Sequence, residues 1–512
     1  MIFAPSDLDR EGPPEKRRAE PDAAPQGSAP GPADANGQAP APSEQPQPTI
    51  GEPAHGVLPG QAPEAAPAPG RAPAVHVSRP SSRCVIAAGL RLPQARAGGL
   101  YRRENAAHLG AVAARELLAQ SGVPAGALHE VLVGCVGQPH DQANVGRVLA
   151  LRAGVPERVP ARTLGRNCAS GMDAVTTACT LIEAGRGDLF LCVGVEVMSQ
   201  YPLTFGPGMT SLFERLSRAR SPLERLAALA SFRPSFLKPR VALMEGLTDP
   251  VTGLIMGRTA ELLARDFGIS REASDRFACE SHLRAAKARD SGRLAREIVP
   301  HLPLGAKDGQ AALVHDDGIR DGQSMESLAK LKPYFEKPDG IVTVGNSCGI
   351  TDGATALLVA SAERAADLGL VPLAEIRSWA WAGLDPRRMG LGPVFAGALA
   401  LEQAGLTLAE MAVVELNEAF AAQVLACQAA FASDRFAAEH LGRATRVGEL
   451  DPARLNPNGG AIALGHPVGA SGARLLLTAA HELAVRGERF GLATLCIGGG
   501  QGGAVVLERR QS

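Results

Sequence analysis

No two cysteines of this chain stand close together. The nine lie at positions 84, 135, 168, 179, 192, 279, 348, 427 and 496, with no C-x-x-C among them. That spacing argues against structural zinc, and so few thiols in 512 residues do not make a disulfide framework. Free thiols fit a reducing cytoplasm, where one of them can act as a nucleophile. Charge of either sign is lacking in excess too, the formal net charge being -1. A nucleic-acid binder needs clustered surplus Lys and Arg, so that class is set aside. No run of about 18 uncharged apolar residues appears, so a spanning helix is not expected. The N-terminus has no apolar core behind a basic start, and it carries Asp7, Asp9 and Glu11. It reads neither as a secretory signal nor as an organelle transit peptide.

The length suggests two to four domain-sized units. Residues 1–81 are rich in Pro, Ala, Gly, Gln and Ser. They cannot bury enough surface to offset their ordering entropy and are expected to form a disordered tail, a docking arm being the alternative. Folding should begin near Ser82, with Cys84 to Ala88 as a first strand. Helical patterns then alternate with short Val/Leu-rich runs, which predicts an α/β architecture. Helices are expected at Ala111 to Gln120, ended by Gly122, and at Ala174 to Ala184. Strands are expected at Glu130 to Gly134, Leu189 to Gly194 and Val413 to Leu416.

An internal repeat runs through this pattern. Leu118 to Val123, leading to Glu130-Val131-Leu132, is echoed by Glu402 to Leu406, leading to Val413-Val414-Glu415. Cys168-Ala169-Ser170-Gly171 opens a helical stretch, as Gly469-Ala470-Ser471-Gly472 does later, and Cys192-Val193-Gly194 is echoed by Cys496-Ile497-Gly498. The order implies two similar α/β halves, 82–197 with 350–371 and then 372–512. A loop-rich excursion, 198–349, separates them.

Four segments carry chemistry. Cys168 follows a Gly/Ser-rich turn at a predicted helix start, where unpaired N–H groups and the positive dipole end favour a thiolate and can hold an oxyanion. A buried structural cysteine is the alternative. His466 lies in the glycine-rich run Asn456 to Gly472, fixed by Pro467 and followed by Ser471. It is a candidate general base for a nearby thiol, or else a turn histidine without chemistry. Cys496 ends a strand before Gly498-Gly499-Gly500, a run that lacks a P-loop lysine, so a second acid/base thiol is favoured over a nucleotide site. Asn417-Glu418-Ala419-Phe420 follows a strand, where α/β folds bind ligands, although Asn417 also suits a helix cap.

Together these four segments resemble the thiolase family, over about residues 82 to 510. The resemblance implies the thiolase fold, two duplicated α/β halves in a five-layer αβαβα core with an inserted loop domain. It implies a ping-pong acyl transfer. Cys168 would take the acyl group, His466 would activate it, and Cys496 would move the Cα proton. Asn417 would hold a water that, with His466, stabilises the thioester oxygen, and the N–H groups of Cys168 and Gly498 would form a second oxyanion hole. No metal or redox cofactor is implied; CoA enters as co-substrate. Met256 and Met389 match segments lining the acyl pocket, while Arg320, Ser327 and Cys348 match CoA-contacting positions. Cys348 departs from the family there, since many relatives have Ser.

The implied reaction is thiolysis of 3-ketoacyl-CoA in fatty-acid β-oxidation. The biosynthetic acetoacetyl-CoA condensation is the alternative, and a noncatalytic acyl-CoA binder a more distant one. A homodimer or homotetramer in the cytoplasm is implied. The stretch between Asn417 and His466 and the basic segment Leu212 to Arg240 resemble the β-subunit of the β-oxidation multienzyme complex, which would add a hydratase/dehydrogenase α-subunit as partner. In that segment Leu223, Leu226 and Leu229 follow helical spacing beside basic residues. This predicts a lid helix packed over the acyl pocket, or a peripheral membrane or partner contact.

Overall fold

The structure is a computed structural model and describes residues 83–510. The tail expected at 1–81 lies outside the described residues. In chain order the strands are β1 (Cys84–Arg91), β2 (Ala95–Arg96), β3 (Glu130–Gly134), β4 (Ala161–Leu164), β5 (Leu189–Val197) and β6 (Leu203–Phe205). They continue as β7 (Pro239–Val241), β8 (Thr351–Ser361), β9 (Ala374–Gly383), β10 (Val413–Leu416), β11 (Phe490–Ile497) and β12 (Gln501–Glu508).

The repeat is visible in the pairing. One half orders its strands β4-β3-β5-β8-β1 and the other β10-β11-β12-β9. The parallel pair β3–β5, followed by antiparallel β8 and β1, is matched by the parallel pair β10–β11, followed by antiparallel β12 and β9. The halves join edge to edge where Val85 and Ile86 of β1 pair with Glu375 and Ala374 of β9.

Period-two alternation sorts β1 between two cores. Val85, Ala87 and Leu90 pack with the outer helix Ala106–Ser121 and with Val145–Arg152, while Cys84 and Ile86 point into a central layer. That layer holds the helices Ser170–Glu183 and Val468–Arg486, packed against each other. The helices Gly392–Ala404 and Ala421–Phe431 cover the far side of the second half. Helix, sheet, paired helices, sheet and helix are the five layers. Val468–Arg486 is buried on nearly all sides, and its buried charges are paired, Arg474 with Glu415 and Glu482 with Arg293.

The central helices meet at their N-terminal ends through small residues. A Cβ on Gly171 would stand 2.8 Å from the Gly469 carbonyl oxygen, and one on Gly472 would stand 2.6 Å from the Met172 nitrogen. Only glycine allows this approach, and it brings the segment after Cys168 against the segment after His466.

Three expectations need correcting. Cys84 of β1 and Cys179 of the central layer are joined by a disulfide, their Cα atoms 5.6 Å apart. A separation of 95 residues shows in no spacing rule; β1 and its neighbouring helix bring the two together. The excursion 198–349 is not loop-rich throughout, because it builds helices at Pro207–Arg218, Pro222–Ala230, Met256–Asp266 and Arg271–Asp290. The segment 212–240 is also no single lid helix. Ser221 caps a new helix by accepting the Glu224 N–H, with Pro222 at its first turn. Leu223, Leu226 and Leu229 are 76%, 64% and 53% exposed rather than packed over a pocket.

Candidate active site

Each reactive side chain sits where an element starts or stops. β11 ends just after Cys496 and β10 just before Asn417, and these strands run parallel. The Asn417 N–H donates to the Thr494 carbonyl oxygen at 3.0 Å, so Asn417 and Cys496 share one edge of the sheet. Cys168 lies in a single tight turn, Asn167–Ala169, leading into the helix Ser170–Glu183. Asn167 adopts φ 43°, and its side-chain Nδ2 donates to the Gly498 carbonyl oxygen at 2.8 Å. The Gly498 N–H and the Cys168 N–H both point to the Cys168 sulfur.

The other loops are laced to the same place. The Cys348 N–H donates to the Ala419 carbonyl at 3.0 Å, and the His466 N–H donates to the Gly349 carbonyl at 3.2 Å. One short loop therefore ties the segment after Asn417 to the histidine. Glu418 is buried and accepts from the Ser281 hydroxyl at 2.6 Å, Asn456 Nδ2 at 2.9 Å and the Ile462 N–H at 3.2 Å. A Cβ on Gly460 would overlap that carboxyl group, which accounts for one glycine of the run before His466.

The electrostatics separate the roles. Burial pushes the Cys168 thiol up to about 11, although the Gly498 and Cys168 N–H groups pull it down. The N–H donors favour the thiolate, but desolvation outweighs them. Burial, and then the Arg474 charge, brings the His466 imidazole down to about 4. It is therefore neutral near pH 7 and able to accept a proton. The His466 Nδ1 lies 2.6 Å from the Ser471 Oγ, and its Nε2 has no partner among the described residues. Burial also holds the Cys496 thiol well above the ordinary range, with Cys168, Cys427 and Cys348 adding to the shift. A protonated thiol is an acid and a neutral imidazole a base.

Cys496 packs with Met389, Phe420, Ala419, Ala260 and Val342, flanked by Met256, Phe335 and Ile341. Met256 and Met389 thus stand in one apolar cluster with Cys496. Asn417 is fully buried there, and neither its Oδ1 nor its Nδ2 has a partner among the described residues. Such a polar group needs a partner to offset its desolvation. Cys348 is part-buried beside this group, its thiol pushed up to about 12 by burial and then by Cys168. Arg320 is on the excursion with no carboxylate partner among the described residues, and its N–H donates to His282 Nδ1 at 3.3 Å. The Ser327 hydroxyl is engaged within its own helix start, donating to the Ser324 carbonyl at 2.8 Å.

Sequence reasoning missed Glu196. It is wholly buried in β5 and accepts the N–H groups of Val136 (3.1 Å), Gly137 (2.8 Å) and Gly469 (2.9 Å), with the Tyr201 hydroxyl at 3.1 Å. One carboxylate thus pins a loop of the first half to the segment after His466. A charged residue inside an otherwise apolar strand, Leu189 to Val197, was its only signal.

Known proteins carry the same architecture. Residues 84–363 match the model of the thiolase N-terminal domain, and residues 370–509 match that of the thiolase C-terminal domain. The chain belongs to the thiolase family. A β-ketoadipyl-CoA thiolase of Escherichia coli is 43% identical over 427 residues, covering 83% of this chain and 98% of that protein. A 3-ketoacyl-CoA thiolase of Escherichia coli (strain 55989 / EAEC) is 38% identical over 433 residues, covering 84% and 98%. Among solved structures, human mitochondrial 3-ketoacyl-CoA thiolase in complex with CoA superposes with a TM-score of 0.71 at 34% identity, covering 84% of this chain and 98% of that one. The Bacillus anthracis acetyl-CoA acetyltransferase gives 0.73 at 34% identity, covering 84% and 100%. This thiolase is accordingly an acyltransferase with the duplicated fold that its repeat predicted.

Proposed function

We propose that this thiolase cleaves 3-ketoacyl-CoA carrying an apolar acyl chain, through an acyl group on Cys168. His466 Nε2 takes the Cys168 thiol proton as the sulfur attacks the C3 carbonyl. The C2–C3 bond then breaks, and its electron pair at C2 takes the Cys496 proton, releasing acetyl-CoA. CoA enters, its thiol proton passes to the Cys496 thiolate, and its sulfur takes the acyl group. Cys168 leaves as thiolate and recovers its proton from the His466 imidazolium. The Cys168 and Gly498 N–H groups stabilise one oxyanion, and Asn417 with His466 the thioester oxygen. Arg320, a cation without a carboxylate partner among the described residues, suits a phosphate of CoA; Ser327 and Cys348 would line its path. CoA is a co-substrate, and the reaction needs no other group.

The observation that carries the acyl preference is the apolar packing around Cys496, formed by Met256, Met389, Phe335, Phe420 and Val342. A distal carboxylate, as in the β-ketoadipyl substrate of one relative, would lose its hydration against these side chains, at a cost of several kcal/mol. The test is steady-state thiolysis of medium-chain 3-ketoacyl-CoA beside 3-oxoadipyl-CoA and acetoacetyl-CoA. The medium-chain substrate should win in kcat/KM by at least about tenfold. Preference for 3-oxoadipyl-CoA would overturn the apolar assignment, and turnover of acetoacetyl-CoA alone would favour the biosynthetic reading.

We place this activity in the cytoplasm, where Cys168 and Cys496 would stay free thiols. A homodimer or homotetramer is supported by β4, which ends the sheet with one edge unpaired, whereas β10 is bridged by Val414 to Leu455. Phe205, Phe213, Leu223, Leu226, Leu229 and Leu237 are exposed on a segment with Arg215, Arg218, Arg220, Arg225, Arg233, Lys238 and Arg240. This pairing of apolar and basic side chains fits peripheral contact with an anionic membrane surface. Cosedimentation should be strong with phosphatidylglycerol vesicles, weak with phosphatidylcholine, and lost in Leu226→Glu. Should vesicles fail and Leu226→Glu instead lower the mass in light scattering, the face is a contact between copies. If neither responds, an α-subunit of a β-oxidation complex is the remaining occupant.

A further inference from the structure

The His466 imidazole has two nitrogens in unlike surroundings. Nδ1 lies 2.6 Å from the Ser471 Oγ, whereas Nε2 is buried without a partner among the described residues. Ser471 is itself fully buried in the first turns of the helix Val468–Arg486, and its Oγ lies 3.1 Å from the Pro467 carbonyl oxygen. A hydroxyl has one proton to give, and a carbonyl oxygen can only accept. The Pro467 carbonyl also accepts the N–H groups of Ala470 and Ser471, as the carbonyl before a helix does.

Two arrangements of the protons compete. In the first, Nδ1–H donates to Ser471, and Ser471 donates to Pro467; only the Nε2 lone pair is left over. In the second, Ser471 donates to Nδ1, and the imidazole proton sits on Nε2. That takes the Ser471 hydroxyl proton away from the Pro467 carbonyl oxygen. Only the first arrangement keeps both hydrogen bonds of Ser471 and leaves on Nε2 the lone pair that a base needs. The first arrangement therefore prevails.

We infer that Ser471 is a positioning residue, which fixes His466 as the Nδ1–H tautomer and so leaves the Nε2 lone pair free to take the thiol proton. The inference rests on the reading of His466 as the base. The helix start does two things at once: Gly469 and Gly472 let it approach the Cys168 helix, and Ser471 orients the base by a hydrogen bond within its own turn. Ser471 belongs to the same repeat position as Ser170, whose hydroxyl donates to the Asn167 carbonyl at 2.7 Å and accepts the Arg166 N–H. The duplicated serine thus holds the nucleophile turn in one half and the base in the other.

The test reads the tautomer directly. Enzyme with ¹⁵N-labelled histidine, compared with His466→Gln to assign the signals, should show a pyrrole-type Nδ1 and a pyridine-type Nε2 for His466 near pH 7. The reverse pattern in the wild type overturns the inference, and this spectrum needs no Ser471 variant to fold. In Ser471→Ala the pattern should shift toward the other tautomer, and acyl-enzyme formation should fall about tenfold or more, with KM changed by less than about twofold. Ser471→Thr, which keeps the hydroxyl, should recover most of the rate. An Ala variant with unchanged spectrum and rate also overturns the inference. If instead His466→Gln acylates at the wild-type rate, the base assignment fails and the orienting role falls with it.

Discussion

Cys168→Ala should abolish turnover, with kcat reduced by on the order of 10⁴-fold or more, while the protein stays folded. The expectation follows from a division of labour. Among the thiols near the site, Cys168 alone receives the Gly498 N–H, and it opens the helix that packs against the histidine helix. Cys496 is buried among apolar side chains, and desolvation holds its thiol protonated. It therefore cannot stand in as the nucleophile. Cys168 is only part-buried, so removing its sulfur should cost no more than about 1 kcal/mol of stability. Steady-state thiolysis and a thermal melt on one preparation are sufficient. Residual turnover above about one per cent, with an unchanged melt, would move the nucleophile elsewhere.

Cys496→Ser should divide the reaction in two. Breaking or making the C2–C3 bond requires a proton at C2, whereas acylation of Cys168 by a simple acyl-CoA donor does not. A hydroxyl is a far weaker acid than a thiol and occupies nearly the same volume, so proton transfer falters while the Met389, Phe420 and Val342 packing persists. General acid/base groups contribute about 10²–10⁴-fold. Thiolysis should fall by that factor or more, and single-turnover acylation by less than about tenfold. Equal losses in both would make Cys496 a shaping residue and leave the proton to His466.

Much of this was legible in the amino-acid order because local rules and tertiary demands agree there. Val413 to Leu416 and Glu130 to Gly134 are short Val/Leu-rich runs, and each became the strand expected. The repeat foretold the matching strand orders of the two halves. The helix at Ala174 to Ala184 instead begins at Ser170, since the turn Asn167–Ala169 feeds it directly. What stayed hidden is what depends on backbone partners far away in the chain. The carboxylate of Glu196 is satisfied by N–H groups of Val136, Gly137 and Gly469, and an N–H leaves no mark in composition. The surroundings of the Cys168 thiol stay hidden for a related reason: a helix start is visible in a sequence, but the burial that outweighs it is not. Likewise, helical spacing of Leu223, Leu226 and Leu229 indicates one apolar face but not whether anything lies over it.

The covalent intermediate is the centre of the account, and it can be weighed. Enzyme mixed with a medium-chain 3-ketoacyl-CoA in the absence of free CoA, quenched in acid and digested, should yield a peptide bearing the shortened acyl group on Cys168, with acetyl-CoA released in equal amount. An acyl group found on Cys496 or Cys348 in place of Cys168, or acetyl-CoA released with no acylated peptide at all, would contradict it.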